Sequence, residues 1–198
     1  MNRKGILFVI SGPSGVGKGT IRETMMKKPI SNLTYSISAT TRKPRAGEID
    51  GRDYFFFETG VFESAIAQGE FLEWALVYDN YYGTPKQYVF DCLEKGQDIL
   101  LEIDIQGALK TKRLVPDGVF VFVMPPSFEE IRQRLLRRGK DTCEEVERRL
   151  QSYEEEMSCI GEYEYVIIND DVNIAAEALR AIIIGERCKV KRIQSRGC

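Results

Sequence analysis

Four stretches of this chain are apolar almost without interruption: residues 6–11, 98–103, 119–124 and 165–168. Alternating apolar and polar positions mark a strand with one wet face, whereas continuous runs mark strands covered on both faces. Between these runs the apolar positions recur at helical spacing, which predicts helices over 19–28, 106–113 and 172–188. Strand–helix alternation with buried strands predicts an α/β fold, a three-layer arrangement in which helices cover a parallel sheet from both sides.

Two segments interrupt this rhythm. Residues 34–82 are rich in Thr, Tyr, Phe and Gly and predict several strands with one short helix near 61–68. Residues 127–158 predict two helices, each opened by a capping-box pattern, Ser127 with Glu130 and Thr142 with Glu145. The join between them is basic and carries Gly139. The expected organisation is a single unit over 1–198, with a core of approximately 1–33, 83–126 and 159–198. The core carries a β-rich insert over approximately 34–82 and a helical insert over approximately 127–158. The polar, basic tail at 189–198 is expected to fray.

Composition narrows the function. With 198 residues, 43% of them hydrophobic, the chain can bury the core of one domain. Its net charge of -2 argues against non-specific nucleic-acid binding, which calls for a basic excess, but leaves room for a local anion pocket. The five cysteines are odd in number and none are paired as C-x-x-C, so free thiols in a reducing cytoplasm are expected rather than a disulfide framework or a zinc site. No apolar run approaches the ~18 residues of a membrane span. The run at 5–10 is also too short for a signal peptide and leads into a glycine-rich loop. The chain has no histidine, so any catalysis must do without imidazole.

That loop is Gly12-Pro13-Ser14-Gly15-Val16-Gly17-Lys18-Gly19-Thr20, set between the first predicted strand and the first predicted helix. Glycines let the backbone curl so that successive N–H groups point at phosphate oxygens, and the helix that follows turns its positive dipole end to the same anion. Lys18 adds a point charge for the outer phosphates. In the strict motif a Ser or Thr follows the lysine. Here Gly19 stands there and the hydroxyl is displaced to Thr20, so the loop offers no certain Mg²⁺ ligand.

A second anion site is expected around Arg42, Arg45 and Tyr54, since two guanidinium groups and a phenol make a good phosphate cradle. Taken alone, this stretch is equally compatible with a solvated charged strand. The whole of 38–57, however, resembles the guanylate kinase signature, with Thr40, Thr41, Arg42, Arg45, Glu48, Gly51, Tyr54 and Phe56 in place. The resemblance continues in order through Phe71-Leu72-Glu73-Trp74-Ala75, Asn80 to Thr84, Leu101 to Gly107, Arg138-Gly139 and Tyr165 to Asp170.

The resemblance implies an ATP-dependent kinase of GMP, with dGMP as a further acceptor, and Mg²⁺ carried with ATP. It implies that residues 12–20 and Asn169 bind ATP, with Lys18 holding its phosphates. Arg42, Arg45, Tyr54 and Tyr82 would bind the GMP phosphate. Ser38, Glu73 and Thr84 would read guanine, with Glu102 and Asp104 close to the same pocket. Arg134, Arg138 and Arg149 would close on the transferring group, so that Lys18, Arg42 and these three carry the catalysis.

The chemistry suits these residues. Guanine shows two donors, N1–H and the 2-amino group, on one edge, and one carboxylate accepts from both. Adenine presents an acceptor at N1 and would leave Glu73 unpaired, a discrimination of roughly 10⁴-fold. The nucleophile is a phosphate oxygen whose second pKa is about 6, so it is already ionised and needs no general base. What remains is repulsion between anions, which cations and positioning relieve. The two inserts are expected to close over the nucleotides and exclude water. A catalytically silent, protein-binding relative of the family is the alternative, and the intact Lys18 argues against it. A phosphate-loop kinase acting on another small molecule would lack the set of Glu73, Arg42 and Arg45.

Overall fold

The computed structural model describes residues 3–77, 79–137 and 150–194. Its central sheet is made of five strands, β1 (Leu7–Ser11), β2 (Leu33–Tyr35), β7 (Asp98–Glu102), β8 (Val119–Met124) and β9 (Tyr165–Ile168). They run in the order β2-β7-β1-β8-β9 and every pairing is parallel. Five consecutive residues of β1 are buried, as its unbroken apolar run requires.

Helices α1 (Lys18–Met26) and α7 (Val172–Arg187) cover one face, where Phe8, Ile10, Ile21, Val121 and Leu179 pack together. Helices α3 (Lys86–Glu94) and α4 (Ile105–Leu114) cover the other face, over Leu7, Val9, Leu101 and Phe120. The three-layer α/β class is therefore the one the sequence predicts. Helix α5 (Phe128–Arg137) opens with the Glu130 amide donating to Ser127 Oγ at 3.2 Å, the cap expected from the sequence. The second expected cap, at Thr142, lies outside the described residues. Among the described residues two short helices follow, α6 (Tyr153–Ser158) and α8 (Val190–Gln194).

A second sheet, in the order β4-β3-β6-β5, is formed by the segment between β2 and α3. It comprises β3 (Ala39–Thr40), β4 (Phe55–Phe56), β5 (Phe71–Val77) and β6 (Asn80–Pro85). Helix α2 (Thr59–Ala67) lies on it and drives Phe62 between Phe71 and Tyr81, with ring centroids 4.3 and 5.3 Å away and nearly parallel planes. These rings form a small separate core, which gives the sheet a rigid base.

Strand β2 and helix α3 have no counterpart in the sequence reading, and neither has α8, a short helix in the tail expected to fray. Strand β2 is only three residues long, and it is fixed by its pairing with β7 rather than by any pattern of its own. Helix α3 is built from Tyr88, Val89, Phe90, Asp91 and Cys92, all weak helix formers, and follows directly on Pro85. Its Val89, Cys92 and Leu93 form a buried stripe, so tertiary packing overrides propensity there. Among the described residues, no helix is long and apolar enough to cross a membrane.

At the N-terminal end of β7, Asp98 is fully buried. Its Oδ1 accepts the Ile6 amide at 2.8 Å, and its Oδ2 takes Arg3 and Arg187, each at 2.6 Å. One carboxylate thus ties the chain's beginning to the end of α7. Asp98→Ala would leave two part-buried guanidinium groups without their anion, and is expected to lower stability by about 3–5 kcal/mol in urea unfolding. A loss below about 1 kcal/mol would mean that water serves these arginines equally well.

Candidate active site

The loop from Gly12 to Gly17 leaves β1 at its C-terminal end. That is where ligands sit in open parallel sheets. Three of its glycines have positive φ, Gly12 at 145°, Gly15 at 83° and Gly17 at 94°. At Gly12 a side chain is also excluded by space, because a Cβ would lie 2.0 Å from the Val123 carbonyl oxygen. Lys18 folds back over the loop, its Nζ donating to the carbonyls of Gly12 at 2.6 Å and Pro13 at 3.1 Å. This fixes the ammonium beside the inward-facing amides. The Thr20 side chain is exposed, two residues along α1.

Val16 carries the loop's outer anchor. Its carbonyl accepts Asn169 Nδ2 at 2.8 Å and Arg134 Nη1 at 3.4 Å, while Arg134 Nη2 donates to the Asn169 carbonyl at 2.9 Å. Glu130 holds the same guanidinium at 2.8 Å. Arg134 and Asn169, both expected at the nucleotide, are thus brought together at the loop itself. Arg138 and Arg149, the other two expected catalytic arginines, lie outside the described residues. Helix α6 adds Glu156, which no motif announced. Burial pushes its carboxyl above the usual range, against the pull of Lys18 and the Ser14 amide.

The second anion site assembles on the outer sheet. Arg42 stands over Tyr54 and Phe56, its guanidinium carbon 5.4 and 5.9 Å from the two ring centroids. Tyr82 approaches Tyr54 edge-on at 6.1 Å. Glu48 fixes the group by accepting Arg42 Nη2 at 2.8 Å and the Arg45 amide at 2.7 Å. The Arg42 hydrogen bond, then the Arg45 amide, hold the Glu48 carboxyl below its usual range. Arg45 itself is exposed. Glu48 was legible as part of the matched signature, but its holding role shows only in the fold.

The third group lies between the two sheets. Glu73 on β5 accepts Thr84 Oγ1 of β6 at 2.5 Å, across the register that pairs these two residues. Burial pushes its carboxyl up to about 7, with the Thr84 hydrogen bond and Lys110 pulling down and Asp104 pushing up. Asp104 caps α4 by accepting the Gly107 amide at 2.7 Å. A Cβ on Gly107 would stand 3.1 Å from Glu73 Oε2, so glycine lets the carboxylate lie against the helix start. Glu102 ends β7, and Ser38 lies half-buried just before β3. A cleft of about 710 Å³ opens beside this group, lined by Trp74, Asp104, Gln106, Gly107, Lys110 and Glu156. The site therefore offers a glycine-rich loop with a lysine, a guanidinium–phenol cradle, and a half-buried acceptor carboxylate.

Comparison with known proteins agrees with this geometry. A family model described as guanylate kinase matches residues 4–186. The chain is 54% identical over 192 residues to the guanylate kinase of Caldanaerobacter subterraneus subsp. tengcongensis, covering 97% of this chain and 93% of that protein. It is 51% identical over 196 residues to the guanylate kinase of Syntrophomonas wolfei, covering 99% and 100%. The crystal structure of guanylate kinase from Anaplasma phagocytophilum superposes with a TM-score of 0.74 at 34% identity, covering 96% of this chain and 90% of that one. Sequence and fold agree, and the chain belongs to the guanylate kinase family.

Proposed function

We infer that this chain transfers the terminal phosphoryl group of ATP to GMP, and to dGMP, giving ADP and the diphosphate. The observation that carries this reading is the half-buried Glu73 carboxylate, held by the buried Thr84 in a chain that also carries a phosphate loop and a second anion cradle. In this reading a purine monophosphate sets its base at Glu73 and its phosphate at Arg42.

In this reading, residues 12–20 hold the ATP phosphates, with Lys18 placing its ammonium among them. Asn169 lies at the adenosine side. Arg42, Arg45, Tyr54 and Tyr82 bind the acceptor phosphate. Ser38, Glu73 and Thr84 read the guanine edge, and Glu102 and Asp104 complete the pocket. Arg134, Arg138 and Arg149 join Lys18 and Arg42 in neutralising charge as the phosphoryl group moves. The acceptor oxygen attacks in line, and the ionised phosphate supplies its own nucleophile.

The donor set also suits Mg²⁺ held chiefly by nucleotide oxygens and water. Among the described residues no three His, Cys, Asp or Glu side chains gather as a metal cage. The Thr20 hydroxyl is the candidate protein contact. When bound, the metal offsets charge between the donor phosphates. Residues 34–82 and 127–158 serve as inserts that close on the core and keep water from ATP. The reading places the enzyme in the cytoplasm, with nucleotides rather than nucleic acid or membrane as its partners.

Purified protein supplied with ATP, Mg²⁺ and GMP should form ADP, and AMP should be a far poorer acceptor, by roughly 10⁴-fold. Equal use of AMP would overturn the role of Glu73. Lys18→Ala should lower kcat by about 10²-fold or more with an unchanged melting temperature.

Protonated Glu73 cannot accept from both guanine donors. The Michaelis constant for GMP should therefore rise as pH falls below the value of about 7 to which the carboxyl is pushed. Glu73→Gln should bind GMP more weakly and lose this pH dependence beyond that of the GMP phosphate itself. The native state also holds this proton more tightly than the unfolded chain does. The resulting stability is present at low pH and is lost as pH rises toward 7, a slope that the same substitution should flatten in pH-dependent urea unfolding.

A further inference from the structure

Glu102, at the end of β7, lies beside the start of α1. Arg22, on the second turn of α1, reaches across to it, its Nε donating to Glu102 Oε2 at 2.9 Å. Both side chains are largely covered, with 24% and 21% of their surface exposed, so water screens this pair less than a surface pair. The guanidinium carbon lies 4.4 Å from the centroid of the Tyr35 ring, a cation–π distance. Its Nη2 also touches Glu23, an exposed neighbour, at 3.2 Å.

The sheet places these groups together. Tyr35 of β2 pairs with Leu100 of β7, and Glu102 is two residues further along. Tyr35 and Glu102 therefore stand on the same face of neighbouring strands. Burial, then the nearby charge of Glu102, pushes the Tyr35 phenol up to about 12, so it serves as a neutral ring under Arg22.

Gly19 is the third member. A Cβ there would stand 3.2 Å from Glu102 Oε1 and 3.9 Å from Arg22 Nη2. A serine or threonine at this position, as the strict phosphate-loop motif has it, would crowd the ion pair.

We propose that Arg22 is a positioning residue of the acceptor site: stacked on Tyr35, it holds Glu102 in one orientation, and Gly19 leaves the room for that pair. This rests on the reading of Glu102 as part of the GMP pocket. Arg22 has a second effect there. A bare carboxylate between two anionic nucleotides would repel both, and the guanidinium offsets its charge while fixing its direction.

The test is steady-state kinetics of Arg22→Gln, Arg22→Lys, Glu102→Gln and the Arg22→Gln/Glu102→Gln double variant, with melting temperatures. Arg22→Gln should raise the Michaelis constant for GMP about tenfold while that for ATP stays within about twofold and the melting temperature is unchanged. Arg22→Lys, which keeps the charge, should recover part of the loss. The double variant should be no worse than Glu102→Gln alone, because the two changes act through one contact.

If Glu102→Gln leaves the constant for GMP unchanged, the underlying reading of Glu102 fails, and the proposal with it. If Glu102→Gln raises it and Arg22→Gln does not, the reading stands and the proposal is overturned. A joint shift of the GMP constant, the ATP constant and the melting temperature in Arg22→Gln would make Arg22 merely structural, and would also overturn it.

Discussion

The end of β1 has no room for a side chain. With the Val123 carbonyl 2.0 Å from where a Gly12 Cβ would sit, the chain leaves the sheet flush against β8 and must turn at once. Gly15 and Gly17 complete that turn with left-handed backbone, which nearly all other residues resist. A loop so tightly wound would relax unless it were held from outside. Leu135 of α5 presses on Gly15, with its Cδ2 2.7 Å from where a Cβ would stand, and Asn169 and Arg134 grip the Val16 carbonyl. Helix α5 and the segment after β9 thus brace the amides against the core. The parallel sheet supplies the position, and the helical segment after β8 supplies the brace.

The same economy of means governs the charges. The site has no imidazole and needs none, because the attacking oxygen comes ionised. Its cations do electrostatic rather than proton-transfer chemistry. Three of them are held by partners: Lys18 by loop carbonyls, Arg42 by Glu48, Arg134 by Glu130. These holders fix direction, so little reorganisation remains when charge develops. Glu73, like Glu156, departs from Glu48, whose carboxyl is held low. Burial raises the Glu73 carboxyl while Thr84 alone donates to it at hydrogen-bond distance through a side chain. A carboxylate kept uneasy in this way binds strongly whatever brings it two donors.

How much of this could be read from the sequence depended on the range of the interactions. Val119–Met124 coincides with its apolar run to the residue, because a strand buried on both faces leaves no alternation to misjudge. Tyr165–Ile168 coincides as well, although this edge strand exposes Val166 and Ile168 instead of being covered on both faces as its unbroken run predicts. β2 and α3 escaped because neither is defined locally, one by pairing and one by packing. The site divides in the same way. Residues 12–20 and 38–57 are contiguous motifs whose spacing encodes a backbone shape. The bracing of Val16 by Asn169 and Arg134 joins residues more than a hundred positions apart, and no local pattern announces such contacts. Arg22 gave no signal either. On a helix a lone arginine reads as a solvated face, and its partner Glu102 is 80 residues away.

Gly19 shows why a departure from a motif should be read together with its neighbours. Taken by itself it is a lost hydroxyl. In the fold it is the gap into which Glu102 Oε1 and Arg22 Nη2 fit. Helix α1 is a stiff mount for that pair, since Ile21 and Met25 are buried in the core on either side of Arg22 in sequence. A side chain carried by a packed helix is placed more accurately than one carried by a loop. In the proposed reading, the helix that begins at the donor phosphates also sets the acceptor-side carboxylate, and the two substrate sites share one rigid element. Their separation would then be fixed by β7 of the central sheet and by α1 packed on its face, while the outer sheet would bring in the base and phosphate contacts of the acceptor.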